Sequence, residues 1–270
     1  MKALLTRAAG EAQAWVEHLQ GEGVQAEAIG LIAILPAQDQ QPLHAAWEQL
    51  KGFAAVMCVS GHAVEQFFAS KPAYASVEWS LSATNLVAYP RFWATGPGTA
   101  AALLAQGIAQ NQIDSPPENS GQLDSEALWR VVRSQIKGAG QQVLMVRGVD
   151  DAPSAGRAHQ GRPWLTEQIE ATGARCTTVL AYRRSLPPLS AGQRQRLLAA
   201  AQDGTVWVFS SSQAIAHLRQ LLPATTWAQA RAVATHPRIA QTAREAGFGV
   251  VCESRPGLAA LVRSIKSVDE

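Results

Sequence analysis

The sequence predicts an α/β protein with two small parallel sheets, on three observations. Short apolar runs alternate with helix-period segments along the whole chain. Nine of these runs have strand length, which suits two sheets better than one. Two separated stretches also repeat one local plan.

In chain order, Ala3–Thr6 is a strand entering a helix near Glu11. Gln25–Leu35, Ala54–Val59 and Phe92–Thr95 are the next strands. LDSEALWRVVRSQI reads as an amphipathic helix, with Leu128, Val131, Val132 and Ile136 on one face and Asp124 or Ser125 as its cap. Strands Gln142–Val146 and Cys176–Tyr182 follow, with Gly173 where the intervening helix should stop. Ser190 and Gln193 form a capping box for a helix reaching Ala201. Thr205–Phe209, Arg231–Ala234 and Val250–Glu253 complete the strands, and Gly247 ends the last helix between them. Two Pro/Gly/polar stretches, Ser115–Gly121 and Val149–Arg162, read as loops.

Composition narrows the function. At 270 residues and 47% hydrophobic the chain can bury real cores, while 16% charged residues and a net charge of +2 leave no basic stripe for nucleic acid. MKALLTRAAGEAQAW has too short an apolar core for a signal peptide, and no 18-residue apolar run occurs, so the expected compartment is the cytoplasm, with no membrane contact. Cys58, Cys176 and Cys252 lie far apart in strand-like runs and are read as packing residues. The six histidines show neither HxxxH nor HExxH, so no metal site is indicated.

The repeat is the strongest internal signal. CVSGHAVEQF aligns with FSSSQAIAHL when Ser60 is set on Ser211, and GPGTAAALLAQGI aligns with HPRIAQTAREAGF when Ala100 is set on Ala240. Each unit thus has a strand ending in Ser at a helix start, followed by a second strand–turn–helix junction. In an open α/β sheet such junctions lie at the carboxyl edge, where ligands bind. If the units face each other, four helix N-termini line one cleft.

Ser60 and Ser211, with Gly61, His62, Ser210 and Ser212 beside them, can cap helices or bind an anion, and the two roles can coexist. Gly96-Pro97-Gly98-Thr99 is either a tight turn or a second anion-binding helix start. It lacks the Lys and spacing of a phosphate loop, so nucleotide binding has no support. Arg147, at the end of QQVLMVRG, is a carboxylate clamp or a surface charge. Tyr182, ending TTVLAYRR, is amphipathic packing or a polar site group. No GxSxG elbow, catalytic Cys with a base or paired carboxylates occur, so an enzyme of this sequence works mainly by holding its ligand.

CVSGHAVEQF, ATGPGTAAALLAQG, LMVRG, GRPWLTEQIEATGARCTTVLAYRR, FSSSQAI and ATHPRIAQTAREAGF together resemble the uroporphyrinogen-III synthase family, in the family's order and over nearly the whole chain. The resemblance implies two flavodoxin-like, parallel-sheet, three-layer domains joined by a two-stranded linker, with an active-site cleft between them. The first would comprise 1–34 and 184–270, the second 38–176, with linker strands near 29–36 and 177–183. It further implies the substrate hydroxymethylbilane, a linear tetrapyrrole with eight carboxylates. Its hydroxyl leaves as water, and the azafulvene closes through a spiro intermediate with ring D inverted. No cofactor is implied, and a monomer is expected. The resemblance carries over four residues: Tyr182 as catalytic, the donor to the departing hydroxyl, and Ser60, Thr99 and Ser211 as lining the cleft. Gly61, His62, Arg147, Ser210, Ser212 and His236 join Ser60, Thr99 and Ser211 as the expected substrate-binding set on the reading of the residues themselves. With a net charge of +2, helix amides would replace basic side chains as carboxylate partners.

The chain departs from the family in three places. HPRIA stands where the family usually reads GxxTA, so His236 replaces a glycine and Ile239 a hydroxyl. Val59 stands where Thr is frequent, and the 149–162 insert is long. A non-catalytic two-lobed binder of a polyanion and an inactive paralogue are the competing readings.

Overall fold

The computed structural model describes residues 1–7, 9–73, 89–117, 124–151, 164–255 and 257–269. Its elements run β1 (Lys2–Leu5), α1 (Ala9–Gly21), β2 (Gln25–Ala28), β3 (Ala33–Pro36), α2 (Gln41–Glu48), β4 (Ala55–Cys58), α3 (Gly61–Ala69), β5 (Arg91–Ala94), α4 (Pro97–Ala105) and β6 (Ile113–Asp114). They continue with α5 (Ser125–Val132), β7 (Gln142–Asp150), α6 (Trp164–Ala171), β8 (Arg175–Ser185), α7 (Ala191–Ala200), β9 (Val206–Phe209), α8 (Ser212–Leu221), β10 (Arg231–Ala234), α9 (Pro237–Glu245), β11 (Val250–Glu253) and α10 (Leu258–Asp269). Two compact units result: Met1–Ile34 with Ser185–Glu270, and Leu35–Arg184.

The first unit holds a five-stranded sheet ordered β11-β10-β9-β1-β2, with every neighbouring pair parallel. Side-chain alternation divides it into two cores. Ala3, Leu5, Val206, Val208 and Val233 pack on Val16, Leu19, Leu261 and Ile265, while Leu4, Trp207, Phe209, Ala232 and Ala234 face Leu197, Ile215, Leu218 and Phe248. Burial on both faces explains the continuous apolar strands. Trp227 and Phe248 stack at 5.3 Å beside Trp207, whose indole N–H donates to the Ala200 carbonyl at 3.1 Å.

The second unit holds a sheet ordered β3-β8-β7-β4-β5-β6. Its β8-β7-β4-β5-β6 portion is parallel throughout. Matching β4 to β9 and β5 to β10, as the sequence repeat does, makes this portion spatially equivalent to β2-β1-β9-β10-β11. The second sheet adds β3 beyond this shared portion, and the chain enters the shared portion at a different point: strands equivalent to β1 and β2 come last in the second unit, as β7 and β8.

Four sequence expectations need correction. The run Gln25–Leu35 is two strands, because Ile29 and Leu31 still donate to the β1 side while β3 joins the other sheet beside β8. Val131 is 37% exposed, and Ala127 takes its place in the buried face of α5, capped by Asp124. The short edge strand β6 escaped notice for want of length. β7 and β8 run on to Asp150 and Ser185, so the start of the 149–162 stretch is strand. Residues 152–162 of that stretch, with Arg162, and residues 118–121 lie outside the described residues.

Candidate functional site

Strand order reverses between β4 and β7 in the second unit, the place where open α/β sheets bind ligands at their carboxyl edge. β4 leads there directly into α3. Ser60, in extended conformation, caps this helix by accepting from the Ala63 N–H at 3.1 Å. Beside it, Gly98 of α4 comes close to Gly61: a Cβ on Gly61 would lie 3.9 Å from the Gly98 carbonyl. Two helix N-termini with outward amides therefore stand side by side.

Tyr182 reaches this edge from β8. It is 1% exposed, and its hydroxyl lies 3.1 Å from Ser60 Oγ. Arg184 Nη2 donates to the same hydroxyl at 2.8 Å, and Arg184 Nη1 donates to Asp150 Oδ1 at 3.0 Å. The ring of His62 meets that of Tyr182 edge-on at 6.0 Å, and His62 Nδ1 lies 3.2 Å from Glu65 Oε2. Gly148 faces the ring of Tyr182 across the ladder, and a register shift after Arg147 brings the two opposite each other. Of the expected residues, Ser60, Gly61, His62 and Tyr182 thus gather at one point.

Others stand apart from that point. Alternation along β7 puts the Arg147 side chain on the face opposite Gly148, away from the Tyr182 ring. Thr99 is 6% exposed in the first turn of α4, and its counterpart in the repeat, Ile239, is also 6% exposed. The Thr-to-Ile departure of HPRIA is therefore a change at an inward-facing position. Ser211 caps α8 through Gln213 N–H, with Ser210 before it and Ser212 in the first turn, where Ser212 Oγ lies 3.1 Å from Thr242 Oγ1. His236 caps α9, its Nδ1 accepting from Arg238 N–H at 3.1 Å. These four residues lie at the carboxyl edge of the first unit's sheet.

Sequence reasoning missed Gly148, Asp150 and Arg184. The available signal was period two: Arg184 follows Tyr182 by two residues on one face of a strand, as Asp150 follows Gly148. Among the described residues no group of three or more His, Cys, Asp or Glu side chains is placed to hold a metal, and no helix is long and apolar enough to cross a membrane.

Known proteins share this architecture. A uroporphyrinogen-III synthetase structure from Helicobacter pylori matches with a TM-score of 0.59 at 13% identity, over 99% of both chains. A mutant uroporphyrinogen III synthase from the extremely thermophilic bacterium Thermus thermophilus matches with a TM-score of 0.55 at 15% identity, over 99% of this chain and 98% of that one. At such identities the likeness speaks for the fold. The family described as uroporphyrinogen-III synthase HemD matches in sequence over residues 13–263, nearly the full length, so the chain belongs to the uroporphyrinogen-III synthase family of tetrapyrrole biosynthesis.

Proposed function

We propose that the protein is a cofactor-independent lyase, monomeric and cytoplasmic and without a nucleic-acid partner, that converts hydroxymethylbilane to uroporphyrinogen III through a spiro intermediate. The observation that carries the mechanism is the contact between the buried hydroxyl of Tyr182 and the half-buried hydroxyl of Ser60 at the start of α3. Ser60 faces the departing hydroxyl and Tyr182 stands behind it as the proton source. As the C–O bond breaks, its electron pair goes to oxygen, which takes the Ser60 proton while Ser60 takes that of Tyr182. Water leaves. The phenolate regains its proton when ring D loses one on closing the macrocycle.

Amides at the start of α3, around Ser60, Gly61 and His62, offer positions for substrate carboxylates, and within the first unit the helix starts at Ser210, Ser211, Ser212 and His236 offer the same kind of position. Thr99 and Arg147 support the second unit's edge, Thr99 from within and Arg147 from the far face. Each charge-assisted N–H bond contributes about 1.5–3 kcal/mol, enough for several to hold a polyanion on a chain of net charge +2. The enzyme's task is to impose the spiro route on a chain that can close without inversion, and fixed geometry supplies that. The test is incubation with freshly generated hydroxymethylbilane and separation of the oxidised products by isomer. Isomer III above the enzyme-free background is expected; isomer I alone would refute the reading.

A further inference from the structure

Resting on the function proposed above, we infer that Arg184, anchored by Asp150, is a positioning residue that fixes the direction of the proton on Tyr182. The β7–β8 ladder pairs Gly148 with Tyr182 and Asp150 with Arg184, so the four residues occupy consecutive rungs on one face. The Asp150 side chain is only 12% exposed and holds one arm of the guanidinium, leaving the other at 2.8 Å from the phenol oxygen. The guanidinium carbon also lies 5.2 Å from the centre of the Tyr182 ring.

Hydrogen-bond inventory then decides the polarity of the chain. A guanidinium only donates, so the Tyr182 oxygen must accept from Arg184, and its single proton is left for Ser60. Ser60 Oγ already accepts from the Ala63 amide and keeps one lone pair for Tyr182. A phenol is a stronger acid than an alcohol, and a cation on its oxygen makes it a better donor still. The bonds run one way, from Arg184 to Tyr182 to Ser60, so the Ser60 proton points outward. When the Tyr182 proton moves on, the positive charge stays beside the new phenolate. Lysine can replace the charge but not the planar fork that joins Asp150 to Tyr182.

The test is a double-mutant cycle on the full chain with hydroxymethylbilane. Arg184→Met should lower kcat about 10- to 100-fold with KM changed less than about 3-fold, Arg184→Lys should restore part of the loss, and Arg184→Met in a Tyr182→Phe background should cost less than about 2-fold. Asp150→Asn, which keeps size and packing, should follow Arg184→Lys; circular dichroism establishes that each variant is folded. NMR of tyrosine isotopically labelled at Cζ gives a readout apart from turnover: the Tyr182 resonance, assigned by its loss in Tyr182→Phe, should move in Arg184→Met and partly return in Arg184→Lys. An equal loss in both backgrounds, a rise in KM alone, or an unmoved resonance would overturn the inference. Isomer I alone from the wild type would overturn the proposed function instead, and this role with it.

Discussion

Gly148 and Tyr182 occupy one volume that no larger residue can share: a Cβ on Gly148 would fall 2.3 Å from Tyr182 Cζ and within 2.7 Å of both Cε atoms. The aromatic ring is seated on bare backbone. Gly148→Ala is therefore expected to push the ring off its place beside Ser60 and Arg184, at a stability cost of about 1–3 kcal/mol. Turnover should fall at least about tenfold, more than that stability loss explains in a protein that remains folded. Denaturant melts and single-turnover rates on the same preparation check both numbers.

Ser60 and Ser211 sit at matching positions of the repeat, and both cap a helix. Either change to Ala should cost roughly 1 kcal/mol of stability. Only Ser60 touches Tyr182, so Ser60→Ala should also cut kcat severely, while Ser211→Ala should chiefly raise KM. Melting curves beside steady-state kinetics separate the two. Equal kinetic effects would refute the assignment of the proton path to the second unit.

Cys58 lies wholly buried in β4, and burial pushes its thiol up to about 12. At pH 8 it should label with a thiol reagent only as fast as the chain unfolds, after Cys176 and Cys252, which are partly exposed. Mass spectrometry of timed alkylation reads this order.

Asp203 ties the end of α7 to β9. Burial alone would raise its carboxyl, but bonds from the Thr205 hydroxyl at 2.6 Å and amide at 3.0 Å, with Arg196 at 3.2 Å and Lys2 at 3.8 Å, hold it below its ordinary value. A depressed folded value means stability present above the unfolded value of 3.8 and lost as pH falls through the lower, folded one. Asp203→Asn should thus be less stable than wild type at pH 7, with the gap narrowing below about pH 4. Denaturant midpoints of both proteins from pH 3 to 7 test the trend.

The sheet scaffold was written plainly in the chain, because strands buried on both faces carry unbroken apolar runs and their caps are local. The Ser190–Gln193 capping box and the Ser60 and Ser211 caps need only three or four consecutive residues, and all formed. What depends on neighbours in space was hidden. EAIGLIAILP shows no break at Ile29–Ile32, since both halves are apolar and only the change of sheet divides them. Likewise Tyr182-x-Arg184 and Gly148-x-Asp150 each show their period, but nothing local says that β7 and β8 lie side by side. Thr99 shows a hydroxyl at a helix start in the sequence, but its burial depends on the packing of α4, which no local pattern reveals.

The order of strands along the chain has a consequence for synthesis. The unit Leu35–Arg184 is continuous, so it can complete its sheet as soon as β8 leaves the ribosome. The other unit cannot: β1 and β2 emerge first, yet β1's second partner, β9, is made only after the whole inserted body. During that interval Leu5 has only Val16, Leu19 and their neighbours, and Leu4 only Ile29 and Leu31. The β9, α8 and α10 side chains that complete both cores are still unmade, so the nascent protein carries half-built cores and an open strand edge of the kind that holding chaperones bind.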